Sequence, residues 1–256
     1  MSVATARYRP HRPVGDLLRE WRQRRQLSQL DLALAAEISA RHLSFVETGR
    51  SRPTSEMILR LTEHLEVPLR DRNTLLLAGH DPYPAVVVNR WWELVDGNAA
   101  VAVFTEAVAP ELLAPPANVL RLSLHPDGMA PRIVNLAEWR GHLLSRLQRQ
   151  VAATGDAKLA ELLTELRHYS GAEHPGGEDG TPAPSDVVVP LRYRHGDREL
   201  SLFSMTAVIG TPMDVTIEEL AIESFYPADQ ATAEVLWARR EGLAEPRGPA
   251  AGESLG

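Results

Sequence analysis

Residues 28–53 read SQLDLALAAEISARHLSFVETGRSRP, and this stretch predicts two short helices joined by a tight turn. Ser28 is a good N-cap, and Asp31 is placed to close a capping box with it. Ser39 caps the second helix, which ends where Gly49 can serve as a glycine C-cap. Two helices arranged in this way can place the second in the DNA major groove while the first crosses the backbone. The stretch therefore predicts a DNA-binding unit.

The outward face of the second predicted helix carries the side chains that would meet DNA. Helical spacing buries Leu43 and Val46 and leaves four residues pointing outward. These four are Ala40, Arg41, Ser44 and Phe45. We expect Arg41 to read a base, because a guanidinium pairs well with guanine O6 and N7. Arg50 and Arg52 follow the helix, where cations suit both its dipole and nearby phosphates.

The helical pattern extends on both sides of this stretch. Apolar periodicity predicts a helix over residues 14–26, another capped by Thr54, and a third with Pro68 in its first turn. Five short helices in residues 14–80 make an independent all-α domain. Residues 1–80 hold 13 arginines and 9 acidic residues, a net charge of +4, whereas the other 176 residues carry −11. This polarity favours DNA binding over the alternative, a five-helix protein-interaction module.

The chain resembles the Cro/C1-type (XRE) helix-turn-helix family in the motif Leu27-Ser28-Gln29 … Leu32-Ala33 … Ile38-Ser39 … Leu43-Ser44 … Glu47-Thr48-Gly49-Arg50 … Pro53. The resemblance implies a lambda-repressor-like domain in which Gln29 begins helix two and contacts the DNA backbone. Glu37 departs from the family, which often has glycine in this turn, and a left-handed backbone there costs about 1 kcal/mol. The predicted DNA-binding residues are Gln29, Ser39, Ala40, Arg41, Ser44, Phe45, Arg50 and Arg52.

The remainder of the chain predicts a second domain over residues 85–243, joined by a short linker at 81–84. We predict strands at 85–88, 92–95, 120–124, 187–194, 198–209 and 220–225, and helices that begin after Asn98, at Leu136, near Leu159 and at Pro227. This order of elements, with strands first, then helices, then a run of antiparallel strands, is PAS-like. The predicted fold class is therefore an α domain followed by an α+β domain. We expect residues 1–13 to be a flexible arm, 170–185 a loop and 244–256 a disordered tail.

The second domain resembles that of the MmyB-like regulators, a subgroup of the XRE family. The resemblance is carried by Tyr83-Pro84-Ala85, Asn118-Val119-Leu120-Arg121-Leu122, His125-Pro126-Asp127-Gly128, Asn135-Leu136-Ala137-Glu138-Trp139-Arg140 and Gly210-Thr211-Pro212. It implies a PAS-like ligand-binding domain behind the DNA reader, a small-molecule effector and a homodimer. The linker is shorter than the relatives usually carry, which predicts tight coupling of the two domains.

Candidate ligand residues are the apolar side chains of this domain and a few polar ones near them. They are Trp92, Leu94, Asn98, Phe104, Arg121, Asn135, Trp139, Arg140, His142, Phe203, Met205 and Phe225. An arginine or histidine at the mouth of an apolar pocket suits a carboxylate, which predicts a fatty-acid-like ligand. The alternative for each apolar residue is ordinary core packing, and for Arg140 and His142 a helix cap or solvent.

Composition and motifs exclude several other classes. The chain has no cysteine, which removes disulfides and thiolate metal sites, and it has no apolar run long enough for a membrane span. No catalytic or phosphate-binding motif is present, so we predict no catalytic residues, no cofactor and no metal. His168, Glu173, His174, Glu178 and Asp179 cluster in the predicted loop, where solvation is a simpler interpretation than metal binding.

The sequence thus predicts a cytoplasmic, sequence-specific transcriptional regulator that binds double-stranded DNA and is not an enzyme. We expect its second domain to sense a small, apolar, fatty-acid-like ligand. One alternative is a regulator controlled by a protein partner, as an antitoxin-like or anti-activator module would be. A second alternative is an enzyme tethered to DNA by its first domain.

Overall fold

The structure is a computed structural model, and it describes residues 12–169, 189–209 and 220–244. Several sequence predictions lie outside these ranges. They are the arm up to residue 11, the loop at 170–185 with Glu173, His174, Glu178 and Asp179, the Gly210-Thr211-Pro212 break, and the tail after Ala244.

The amino-terminal part forms the five predicted helices, which are α1 (Val14–Arg24), α2 (Gln29–Ala35), α3 (Ala40–Glu47), α4 (Ser55–His64) and α5 (Leu69–His80). Their apolar stripes meet in one core, with Leu18, Leu32, Leu43, Leu61 and Leu75 almost fully buried. Pro68 lies one residue before α5 rather than in its first turn, where its fixed φ still suits the helix start.

Local capping explains where α2 and α3 begin. The hydroxyl of Ser28 accepts from the Asp31 amide, and the Asp31 carboxylate accepts from the Ser28 amide, which completes the predicted capping box. Ser39 accepts from the His42 amide at the start of α3. Glu37 has a φ of +52° in the turn between the helices, and Gly49 has a φ of +72° after α3. Both left-handed positions were expected from the sequence.

The second part is built on a five-stranded antiparallel sheet in the order β2-β1-β5-β4-β3. Its strands are β1 (Ala85–Val88), β2 (Leu94–Gly97), β3 (Leu191–His195), β4 (Arg198–Ile209) and β5 (Leu220–Pro227). Strand β1 pairs with β2 on one side and with β5 on the other, so it lies in the sheet interior. The β1–β2 and β3–β4 pairs join consecutive strands, whereas the β1–β5 pair joins segments that are far apart in sequence.

Two strand predictions needed correction at their starts. The second strand begins at Leu94 instead of Trp92, because Asn89 and Glu93 close a turn in which Trp92 has a φ of +65°. The third strand begins at Leu191, although alternation predicted its start at residue 187. Residues 189 and 190 are not in a strand, and residues 187 and 188 lie outside the described ranges.

Within the described ranges this part also forms five α-helices, which are α6 (Ala102–Thr105), α7 (Val119–Leu124), α8 (Leu136–Thr154), α9 (Ala157–Arg167) and α10 (Gln230–Ala244). The extended run predicted at 120–124 is wrong. The Asn118 side chain accepts from the amides of Leu120 and Arg121 and so starts a helix there, which burial on several sides stabilises. The last helix begins at Gln230 because Pro227 remains in β5.

Strand β1 separates two apolar cores. Val86 and Val88 join the core between the sheet and helices α6–α9, whereas Ala85 and Val87 join the core of the amino-terminal helices. Leu220 and Ile222 of β5 also pack into that amino-terminal core. Because side chains alternate along a strand, the two faces of one strand contact both domains directly.

Candidate nucleic-acid interface and effector cavity

A buried glutamate holds the recognition unit together. Glu47 at the end of α3 has a fully buried side chain that accepts from Arg22 Nε at 2.7 Å and Arg22 Nη2 at 2.8 Å. Gln29 Nε2 on α2 donates to the same carboxylate at 2.8 Å. The contacts tie α1, α2 and α3 to one carboxylate, which keeps the outward face of α3 rigid. Glu47 was part of the family motif, but its sequence context did not reveal this role.

The ionisation of Glu47 follows from these partners. Burial raises the pKa of its carboxyl, but hydrogen bonds from Arg22 and Gln29 and the charges of Arg22 and Arg19 outweigh burial. The net result is a pKa below its usual value, so Glu47 is a carboxylate at neutral pH.

The outward face of α3 centres on an aromatic ring between two arginines. Arg41 is exposed, and its guanidinium carbon lies 5.3 Å from the centre of the Phe45 ring. The guanidinium carbon of Arg50 lies 6.0 Å from the same ring. Ala40 and Ser44 on this face are half-buried. The arrangement presents two cations on one ordered surface, as contact with a duplex requires.

Three other predicted DNA contacts have partners within the protein. The Gln29 amide is held by Glu47, and the Ser39 hydroxyl caps α3. The guanidinium carbon of Arg52 lies 4.5 Å from the Trp237 ring centre, on α10 of the second domain. DNA contacts by these three residues stay predictions.

The second domain has a partly open apolar cavity of about 60 Å³ between its sheet and helices α6, α7 and α8. Four predicted ligand residues line it, namely Leu94, Phe104, Trp139 and Phe225. The other lining residues are Val86, Val101, Thr105, Val119, Leu120, Leu122, Ser123, Met129, Leu143, Leu191 and Glu223. Trp139 Nε1 donates to the Ser123 hydroxyl at 3.0 Å, so both polar atoms are paired.

The predicted cationic ligand residues do not line this cavity. Arg121 forms a bidentate pair with Glu165 at 2.8 and 2.6 Å. Arg140 donates to backbone carbonyls at the end of α9, including that of Arg167 at 2.7 Å. His142 stacks on Trp139 away from the cavity, and burial, with the charges of two nearby arginines, lowers its pKa. Each of these three residues therefore packs or bonds within the protein, outside the cavity.

The remaining predicted ligand residues also lie elsewhere. Asn98 accepts from the Ala85 amide and donates to the Tyr83 carbonyl, so it braces the linker instead of capping the next helix. Asn135 bridges to the backbone of β3 and the residue before it. Trp92 lines a separate open pocket. Phe203 and Met205 are on the opposite face of the sheet, because their position in β4 alternates with the cavity side.

Sequence reasoning missed the charged residue of the cavity, Glu223. Its side chain is only 6% exposed and pairs with Arg146 Nη1 at 3.0 Å. Glu223 occupies an inward position of β5, between Ile222 and Ser224 on the other face. An acidic residue at an inward position of an alternating strand was the available signal.

Comparison with known proteins identifies both parts of the chain. The family model of a helix-turn-helix domain matches residues 13–75, and that of the MmyB-like transcription regulator ligand binding domain matches residues 69–238. The two matches overlap within α5, the helix that packs on β1. Both models describe regulator domains, not enzymes. No curated protein sequence matches.

One similar solved structure is titled "Structure of an RNA-binding Light-Oxygen-Voltage Receptor". It is 12% identical with a TM-score of 0.32, and the match covers 90% of this chain and 64% of the receptor. The chain therefore spans just under two thirds of that receptor's length, and a likeness this weak carries no functional argument.

The family model of the ligand-binding domain spans well over half of the chain, and the helix-turn-helix match covers the helices that precede it. The chain therefore belongs to the MmyB-like transcription regulators, and it combines a helix-turn-helix domain with a carboxy-terminal ligand-binding domain.

Proposed function

We propose that the protein reads a specific operator through α3 and changes its DNA binding when a small apolar effector enters the cavity of the second domain. The observation that carries this proposal is strand β1, whose two faces pack against the cavity core and the DNA-binding core. An effector that moves Val86 would also move Val87, the next residue of the same strand. The proposal thus gives the effector a direct path to the helices that hold α3.

The DNA part is tested by selecting genomic fragments with the purified protein and then measuring single variants on the selected operator. We expect Arg41→Ala to weaken operator binding by about 1–3 kcal/mol and to relax the preference at one base pair. Arg50→Ala should weaken binding to all duplexes and reduce the salt slope by about one unit. An Arg41→Ala variant that keeps the full base preference would contradict this orientation of α3.

The fatty-acid-like effector is a narrower proposal. The apolar lining of the cavity supports an alkyl chain, but the predicted arginines are paired elsewhere and supply no carboxylate partner there. A cavity of about 60 Å³ holds only a short alkyl group unless the helices over it separate. Native mass spectrometry of the purified protein and a melting-temperature screen of apolar compounds test whether such an effector binds.

Three further properties belong to the same proposal. We expect a homodimer on a near-palindromic operator and a cytoplasmic protein, and both expectations rest on the family and its DNA target. In the described ranges, no helix is long and apolar enough to cross a membrane. The PAS-like character of the second domain is supported by its strand order. Control by a protein partner would be favoured if no apolar compound changes operator binding.

A further inference from the structure

The cavity contains one feature that an apolar pocket does not need. Among the described residues that line it, Glu223 is the one with a charged side chain. It sits in the middle of the sheet, with Val86 of β1 on one side and Thr206 of β4 on the other. Burying a carboxylate is costly in free energy unless partners stabilise it. A glutamate in the lining of an apolar cavity therefore suggests that the carboxylate has a role in binding.

The partner of Glu223 approaches from outside the cavity. Arg146 on α8 donates to Glu223 through Nη1 and to the Thr206 hydroxyl through Nη2 at 2.6 Å. Its guanidinium carbon also lies 4.4 Å from the Trp92 ring centre. Arg146 lines the neighbouring open pocket and not the cavity itself. Arg146 therefore pairs with Glu223 from the neighbouring pocket, and Glu223 is the member of this pair that lines the cavity.

A carboxylate only accepts hydrogen bonds, so it selects for a donor. In a cavity of low dielectric constant, an anionic head group next to Glu223 would be repelled, whereas a hydroxyl or ammonium group would be bound. We propose that the effector is an apolar molecule whose polar end is a hydrogen-bond donor, an alcohol or an amine, held by Glu223. This inference rests on the proposed function and replaces the carboxylate head group of the fatty-acid-like ligand; a carboxylic acid would qualify only when protonated.

The test compares head groups on one alkyl chain. Hexanol, hexylamine and hexanoate, followed by their ten-carbon counterparts, are titrated against the full chain at neutral pH while its melting temperature is followed. We expect the amine and the alcohol to raise the melting temperature and the carboxylate to have no effect. The shorter series comes first because the cavity is small.

A variant pair assigns the effect to Glu223. In Glu223→Gln the glutamine side chain has the same shape as glutamate but no negative charge. The apparent affinity of the protein for the amine should therefore fall about tenfold, and its affinity for the alcohol should fall by less. Glu199→Gln is the matched control, because Glu199 is also a strand glutamate paired with an arginine, Arg192, but is exposed and outside the cavity. The control should bind all compounds as the unmodified chain does.

The outcomes separate this inference from the proposed function. Stabilisation by hexanoate or decanoate above the alcohol and amine would overturn the donor requirement and leave an apolar effector standing. If no compound of either series stabilises the chain, both proposals fail. The head-group ranking on the unmodified chain decides the inference even if Glu223→Gln does not fold.

Discussion

Replacing Gly15 with alanine should force α1 away from α3. A Cβ built on Gly15 would lie 2.2 Å from the Val46 carbonyl oxygen and 3.1 Å from Glu47 Cα. These are backbone atoms of α3 that cannot rotate away, so one helix must shift by about 1 Å to restore normal contact. Such overpacking costs about 1–3 kcal/mol, and better helix propensity returns at most about 1 kcal/mol. We expect a net loss of about 2 kcal/mol in the free energy of unfolding.

Gly141→Ala is the matched control for this prediction. Gly141 lies inside α8, is exposed, and a Cβ there would meet no atom within 4 Å. Because alanine is the better helix former, this variant should be more stable by about 0.5–1 kcal/mol.

Urea unfolding followed by circular dichroism measures both variants, and operator titration reports the position of α3. Gly15→Ala should also bind the operator more weakly, since Glu47 and Arg22 are displaced with the helix. Equal stability of Gly15→Ala and the unmodified chain would refute the close approach of α1 and α3.

Three other predictions concern ion pairing, pH and coupling. Glu47→Ala leaves Arg22 half-buried without its carboxylate and should cost about 3 kcal/mol in urea unfolding, with operator binding lost in parallel. Burial lowers the pKa of His80, which is packed against Tyr226, below its ordinary value of 6.5. The folded state favours the neutral imidazole of His80, so the stability that this group contributes is complete above pH 6.5 and is lost as the pH falls through the lowered pKa. The variant His80→Gln has no such group, so its melting temperature should depend less on pH below neutrality. A Gly/Ser insertion at residues 81–84 should leave operator affinity nearly unchanged and weaken its response to an effector, because a longer linker transmits domain movement less well; an unchanged response would contradict coupling through the linker.

The helices of the DNA-binding part could be predicted because their signals are local. Ser28, Ser39 and Thr54 cap the helices from within three residues, and apolar spacing marks the buried stripe of each helix. The same local reasoning failed at residues 120–124, where a short apolar run fits a strand or a helix equally well. There the Asn118 cap and packing around the segment select the helix.

The residues that line the cavity, in contrast, could not be predicted from local sequence, because contacts between distant segments place them. Arg121 and Arg140 are the kind of residue that binds a carboxylate, yet each bonds to α9, 26 or more residues away in sequence. Glu223 reaches the cavity wall because β5 pairs with β1, and Arg146 stabilises it across 77 residues.

The amino-acid sequence by itself determined that this is a helix-turn-helix regulator with a separate sheet domain, since caps, turns and periodicity act between near neighbours. Only the tertiary structure decided which side chains line the cavity and which form ion pairs within the protein. Those choices depend on contacts between distant segments, whose free energies exist only once the chain has folded.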